Sequence, residues 1–297
     1  MAYILLFIIG VSVGSFLNVV SLRYRSGEKL FSFRVIGGRS RCQNCQRSLG
    51  AFELIPLLSF VFQKGKCRSC GVRLSFQYPL VEALAGFIFV LVPMRLFALY
   101  LFASVEIIYL LSFLWILFFL TLLLISIIDF RHYIIPDSLN FFIAGLGAAL
   151  ILIKIYGDYG LVFHDSFLLG YSMFMSFVSG VLANHFVGVT VGAGLFGLII
   201  YLTKGAGMGF GDLKLAAVLG IALGWPDVFF AIIFAFLIGG AVSIPLLFGG
   251  PSTLLGINKK TMKSALPFGP FLAFGTALLF FAGFEILELY FMAMGLL

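Results

Sequence analysis

Ile107–Ile128 reads IIYLLSFLWILFFLTLLLISII and is followed at once by Asp129. Twenty-two residues without a charge, proline or glycine match the ~20 needed to cross a ~30 Å hydrocarbon core. The run is one of a series. Tyr3–Leu22, Tyr78–Phe102, Ser138–Tyr156, Phe167–Thr203, Leu213–Trp225, Val228–Phe248 and Leu266–Gly283 are also dominated by apolar residues. The whole chain of 297 residues is 62% hydrophobic and only 10% charged, against roughly 25% charged in an average soluble domain. Such a chain cannot clothe a water-facing surface, which excludes a soluble globule, a disordered chain and a nucleic-acid binder. The fold class expected is an all-α polytopic membrane protein with about eight transmembrane helices.

Basic residues set the orientation, because cytoplasmic loops collect Lys and Arg. Arg23, Arg25, Lys29, Arg34, Arg39, Arg41, Arg47, Lys64, Lys66, Arg68 and Arg73 all lie between the first two spans. Placing that segment inside and alternating the spans also puts Arg131, Lys204, Lys214, Lys259, Lys260 and Lys263 inside. Arg95 and Lys154 fall outside, with Glu106, Asp158, Asp165, Asp227, Glu285 and Glu288. Both termini are therefore expected outside. The first run carries no basic n-region or small-residue cleavage site, so it reads as a retained span. Phe167–Thr203, interrupted near Ala183-Asn184-His185, would make a helix of roughly 55 Å. Two crossings there would break the charge sorting, so the expectation is one crossing plus a re-entrant or interfacial piece.

All four cysteines sit in the basic segment, as Cys42-x-x-Cys45 and Cys67-x-x-Cys70 separated by 21 residues. Two such knuckles suit one tetrahedral zinc ion; disulfides are disfavoured in a reducing cytosol. A segment this short between two spans cannot bury a sufficient core alone, and a metal supplies the missing folding energy. Four protein ligands leave no open position, so the site is expected to be structural. The chain then divides into residues 1–22, a first transmembrane helix; 23–79, a cytoplasmic zinc segment; and 80–297, a transmembrane domain.

Two acids stand against hydrocarbon, where a functional role is the default expectation. Asp129 ends the opening run; Asp212 follows Gly207-Met208-Gly209-Phe210-Gly211 and begins another. Two carboxylates brought close cannot both ionise easily, so one serves as acid while the other activates water. Gly209 and Gly211 remove side-chain bulk beside Asp212. Simpler roles are a helix cap for Asp212 and an interfacial charge for Asp129. Asp137 fits an N-cap before the next span, although composition leaves it open as the partner of Asp212. Lys214 could hold one aspartate ionised or lie along the interface. His132 could tune Asp129 or simply sit at the surface. Glu82 could contact substrate or cofactor, or pair with Arg73 or Lys214. The basic segment also suits anionic lipid headgroups.

In this order the motifs resemble the bacterial type IV prepilin peptidases, membrane aspartic proteases of the GxGD class. The resemblance is carried by Gly14-Ser15-Phe16-Leu17-Asn18-Val19-Val20, the paired CxxC knuckles with Ile55-Pro56-Leu57-Leu58-Ser59 between them, and Tyr78-Pro79-Leu80-Val81-Glu82. It continues through Asp129 with Ile135-Pro136-Asp137, Gly209-Phe210-Gly211-Asp212 with Lys214-Leu215, and Pro267-Phe268-Gly269-Pro270. It implies that Asp129, rather than Asp137, pairs with Asp212. It further implies type IV prepilin or pseudopilin precursors as substrates, cleavage at the cytoplasmic face of the bacterial inner membrane, and N-methylation of the new terminus from S-adenosylmethionine. Two features depart from the pattern: Leu54 replaces the Asn of the acidic-Asn-Ile-Pro motif at Glu53-Leu54-Ile55-Pro56, and the Phe167–Thr203 region is longer than usual. No GxGxxG fingerprint follows a strand, so the methyl donor rests on the resemblance alone. The rival readings are a peptidase without methylation, a GxGD protease of ordinary transmembrane helices, and an aspartate-dependent ion transporter, which would need its acids near the bilayer midplane.

Overall fold

A computed structural model describes residues 1–25, 27, 30, 32–100, 103–156, 166–175, 180–248 and 266–295. Lys29, Asp158, Asp165, Lys259, Lys260 and Lys263 from the charge argument lie outside the described residues. Among the described residues the chain is helical almost throughout. Seven helices are long and apolar enough to cross a membrane: α1 (Ala2–Arg23), α4 (Gln77–Leu99), α5 (Val105–His132), α6 (Asp137–Tyr156), α8 (Val181–Leu202), α10 (Asp227–Phe248) and α11 (Gly269–Ala293). Shorter are α2 (Phe33–Ile36), α3 (Leu58–Phe62), α7 (Gly170–Met175) and α9 (Phe210–Leu223). Two compact units result, Met1–Leu101 with Val105–Ile128, and Phe102–Ser104 with Asp129–Leu297.

The helical class and the cysteine segment between the first two long helices are as expected. The eighth expected crossing, Leu213–Trp225, is α9. Its 14 residues cover about 21 Å at ~1.5 Å each, less than the other spans, yet α9 leads from Asp212 to Asp227 at the far end of α10, which packs antiparallel to α11. The stretch Phe167–Thr203 divides into short α7 and one helix of spanning length, α8. Ala183-Asn184-His185 does not interrupt it; these residues lie in the first turns of α8. There Asn184 Oδ1 accepts the Trp225 backbone N–H at 2.9 Å.

In the first unit α1 and α4 run antiparallel at backbone contact. A Cβ on Gly10 would lie 2.7 Å from Ala85 O, and one on Gly14 2.8 Å from Glu82 Cα. Gly10-x-x-x-Gly14 is the small-residue spacing that lets two membrane helices touch. Within α5 the hydroxyls of Ser112, Thr121 and Ser126 each donate to the carbonyl four residues back. Their polar groups are thereby satisfied inside an apolar run.

The second unit repeats the device around α9. A Cβ on Gly188 would come within 2.8 Å of Gly220 O, and one on Gly192 within 2.5 Å of Ala216 O, so α8 lies directly on α9. From the other side, a Cβ on Gly147 of α6 would lie 3.0 Å from Ala222 N, and Gly275 of α11 fits against Ala231 O of α10. The buried residues of α9, including Leu215, Leu219 and Leu223, fill the space so enclosed. A short helix gripped on two faces makes a firm platform for the residue in its first turn.

Candidate active site

That residue is Asp212. The N-cap of α9 is Gly209, and Asp212 reaches back from the third helical position so that Oδ2 accepts the Gly209 N–H at 3.2 Å. Asp212 is thus not the N-cap considered from the sequence but closes the cap from the third position, which occupies one carboxylate oxygen. Gly211 faces Ile135, whose Cβ would be 3.4 Å from an added Cβ. The linker after α5 thus lies against the start of α9, at a distance an added Cβ would also tolerate.

Asp129 lies in the last turns of α5 and is buried, 4% exposed. The helix ends four residues later, where Tyr133 adopts a left-handed conformation with φ 55° and returns its N–H to Asp129 O at 2.8 Å. A tyrosine pays strain at that φ. It turns the chain into Ile134-Ile135-Pro136, which cannot continue the helix. The carboxylate is fixed separately: Gly269 N–H, at the start of α11, donates to Asp129 Oδ2 at 2.9 Å. The positive end of that helix favours the negative group. Only glycine fits, since a Cβ there would sit 2.7 Å from the same oxygen. Gly269 is the residue whose part the sequence left unread; its signal was the Pro267-Phe268-Gly269-Pro270 motif. Phe268 anchors the motif against Phe196 and Phe236, at ring-centroid distances of 5.8 and 5.0 Å.

Asp129 and Asp212 line one cavity of about 400 Å³, and they are near enough for the charge of Asp212 to act on Asp129. Tyr133, Ile135 and exposed Phe210 form much of its wall. Asp137 and Lys214 line the same cavity and pair with each other at 2.8 Å. Lys214 is therefore held by Asp137 rather than by Asp212. Asp137 is the first residue of α6 and not its N-cap, and its carboxylate is spent on the lysine. His132 lies in the last turn of α5 and does not line the cavity. Asp227, read from sequence only as an outer charge, is 1% exposed. It accepts the Ser166 hydroxyl and the Phe167 N–H, which pins the turn before α7 to the start of α10.

In the first unit the sulfurs of Cys42, Cys45, Cys67 and Cys70 all lie within 4.8 Å of one another. The Cys42–Cys70 separation is 3.9 Å, close to the ~3.8 Å edge of a tetrahedron with ~2.3 Å metal–sulfur bonds. Each pair sits on a small antiparallel bridge, Arg41 with Ser48 and Lys66 with Arg73. The two knuckles match bond for bond. Cys42 N–H donates to Arg47 O and Cys67 N–H to Val72 O, while Gln46 and Gly71 occupy the same positive-φ turn position. The Val72 N–H lowers the Cys70 thiol to about 6, towards the thiolate a metal needs. Four sulfurs so placed can hold one metal ion.

Glu82 of α4 is buried and does not pair with Arg73. Its Oε2 accepts the Leu57 N–H at 2.7 Å.

Two family models match the chain, the bacterial peptidase A24 N-terminal domain over residues 8–96 and the type IV leader peptidase family over residues 116–244. A Bacillus subtilis protein named prepilin leader peptidase/N-methyltransferase is 33% identical over 98% of this chain and 99% of its own length. Proteins of the same name from Aeromonas salmonicida and Dichelobacter nodosus are 31% and 29% identical. They cover 91% and 94% of this chain, and 87% and 91% of their own lengths. No solved structure matches.

Proposed function

The chain belongs to the type IV leader peptidase family, and from that premise we propose that it removes the leader of prepilin-like precursors and methylates the new N-terminus. The observation that carries the first activity is one cavity lined by both Asp129 and Asp212. One carboxylate takes a proton from a water whose oxygen bonds to the scissile carbonyl carbon. The other, protonated, gives its proton to the departing amine as the C–N bond breaks. Gly269 and Gly209 hold one oxygen of each acid with a backbone N–H, which leaves the other oxygens for water and substrate. Gly211 and the linker at Ile135 keep the approach to Asp212 narrow enough for an extended peptide. Lys214 and Asp137 stand at the cavity as an ion pair and support the geometry without taking a proton.

The sorting of Lys and Arg supports a cavity on the cytoplasmic side of the bacterial inner membrane, with both termini outside. A pair of acids at one edge of the membrane suits a protease better than a transporter. Zinc is the metal favoured for the four thiolates, because four sulfur ligands in tetrahedral array with no open position are its structural habit. The basic, metal-bound segment lies against anionic lipid. The second activity draws its methyl group from S-adenosylmethionine.

The test is the mass of the N-terminus of a pilin precursor co-expressed with this protein. Loss of the leader together with a gain of one CH2 is the expected result. An uncut precursor would remove the peptidase reading, and a cut, unmethylated product would remove the methyltransferase one.

A further inference from the structure

Three of the motifs quoted from the sequence lie in the other unit and take no part in the aspartate cavity: Gly14–Val20 on α1, Ile55–Ser59 between the knuckles, and Tyr78–Glu82 on α4. They meet. Ser15 lies beside the Glu82 carboxylate, Asn18 Nδ2 donates to Tyr78 O at 3.1 Å, and Leu57 N–H donates to Glu82 Oε2. The contact at Gly14 described above brings α1 against α4 at this level.

Two properties of the cluster are not explained by packing. Its spare capacity is all acceptor. Asn18 is 2% exposed and its Oδ1 has no hydrogen-bond partner. Glu82 is 8% exposed, and among the described residues no cationic side chain pairs with it. The nearby Glu53, by contrast, is met by Arg47 at 3.8 Å and by the Gly50 N–H at 2.8 Å. A buried carboxylate without a counter-charge, beside an unsatisfied oxygen, is costly and complements a cation or a ligand rich in donors.

The second property is strain. Leu57 has φ 59° and ψ −53°, and Leu58 N–H returns to Pro56 O at 2.6 Å. This is a γ-turn of the rare positive-φ kind. Its N–H is held on the buried glutamate, so the loop between the two cysteine pairs is clamped to the helix pair. Such backbone persists where its surroundings over-determine it, commonly at ligand clamps.

We propose that Ser15, Asn18, Leu57 and Glu82 form the site that takes the cationic end of the methyl donor, a sulfonium compound that also carries an ammonium group. The inference rests on the methyltransferase half of the function proposed above. Glu82 supplies the counter-charge, Asn18 Oδ1 the spare acceptor, and the Leu57 turn closes the site from the side of the knuckles. The donor would bring the activated methyl group; the cluster fixes where its charge rests.

The decisive variant is Glu82→Gln. The glutamine oxygen still accepts the Leu57 N–H, so the clamp survives while the charge is lost. Binding of S-adenosylmethionine is measured by titration calorimetry on the full-length protein in lipid nanodiscs, with metal content and thermal unfolding recorded alongside. The wild type should bind the donor and Glu82→Gln should bind it at least about tenfold more weakly, the loss expected for one charge-assisted contact, with metal content unchanged. Equal binding by the two proteins would overturn the site while leaving the methyltransferase reading intact. A wild type that binds no donor would overturn both. Should Glu82→Gln lose its metal, Asn18→Ala takes its place under the same criterion, since it leaves the clamp untouched.

Discussion

The site depends on what holds each carboxylate. Gly269 gives Asp129 a backbone N–H and the positive end of α11, where any side chain would collide with the oxygen. Gly269→Ala should therefore lower leader cleavage by at least about tenfold, the cost of displacing a catalytic group by a fraction of an ångström. The assay is precursor cleavage in membranes at matched enzyme level, and an unchanged rate would count against this role. Asp137 is the contrasting case. From sequence it was open as the partner of Asp212, and it lines the same cavity. Its carboxylate is bound to Lys214, with the two side chains 59% and 53% exposed. Exposed pairs of this kind contribute about 0–1 kcal/mol. Asp137→Asn should keep cleavage within about tenfold of wild type and shift thermal unfolding little, whereas loss of cleavage would return Asp137 to the list of catalytic acids.

At the scale of elements, α9 carries one acid and is positioned by glycine contacts with α8 and α6. Gly188→Leu would drive a side chain into the backbone of Gly220. It should destabilise the protein by about 1–3 kcal/mol or more, read as a lower unfolding midpoint in detergent with the cavity residues untouched. The knuckles are a separate element. Metal analysis should find one zinc per chain. A strong chelator should expose the 40–76 region to protease while leaving cleavage by the aspartates in place, because the thiolates line no part of their cavity. Loss of cleavage on chelation, with the helices still folded, would contradict a structural metal. The existence of these elements was legible in the sequence because hydrophobic runs and paired CxxC spacing are local patterns. The length of α9 was legible too, since Gly224-Trp225-Pro226-Asp227 stops the apolar run. What holds its end was not: the Trp225 N–H donates to Asn184 of α8, a contact with no local signal.

For the whole molecule, composition alone excluded every water-soluble class. Charge sorting then gave an orientation that a reporter can check. Alkaline phosphatase fused after Leu297 should be active outside the membrane, while a fusion after Gln63 should be inactive; the reverse pattern would invert the topology. Sequence order suggested which acids belong together, yet only folding brings residues 129, 212 and 269 to one place. Gly269's part was hidden for that reason, since a backbone N–H leaves no trace in residue identity beyond the glycine itself. The convergence of Ser15, Asn18, Leu57 and Glu82 was hidden likewise. The account stands most directly on cleavage of a full-length precursor by purified Asp129→Asn and Asp212→Asn, reconstituted in lipid and matched to wild type in metal content and unfolding midpoint. Each should lose activity by at least about 10²–10⁴-fold, the contribution of a single acid or base. A rate near wild type from either variant would contradict the paired-carboxylate mechanism.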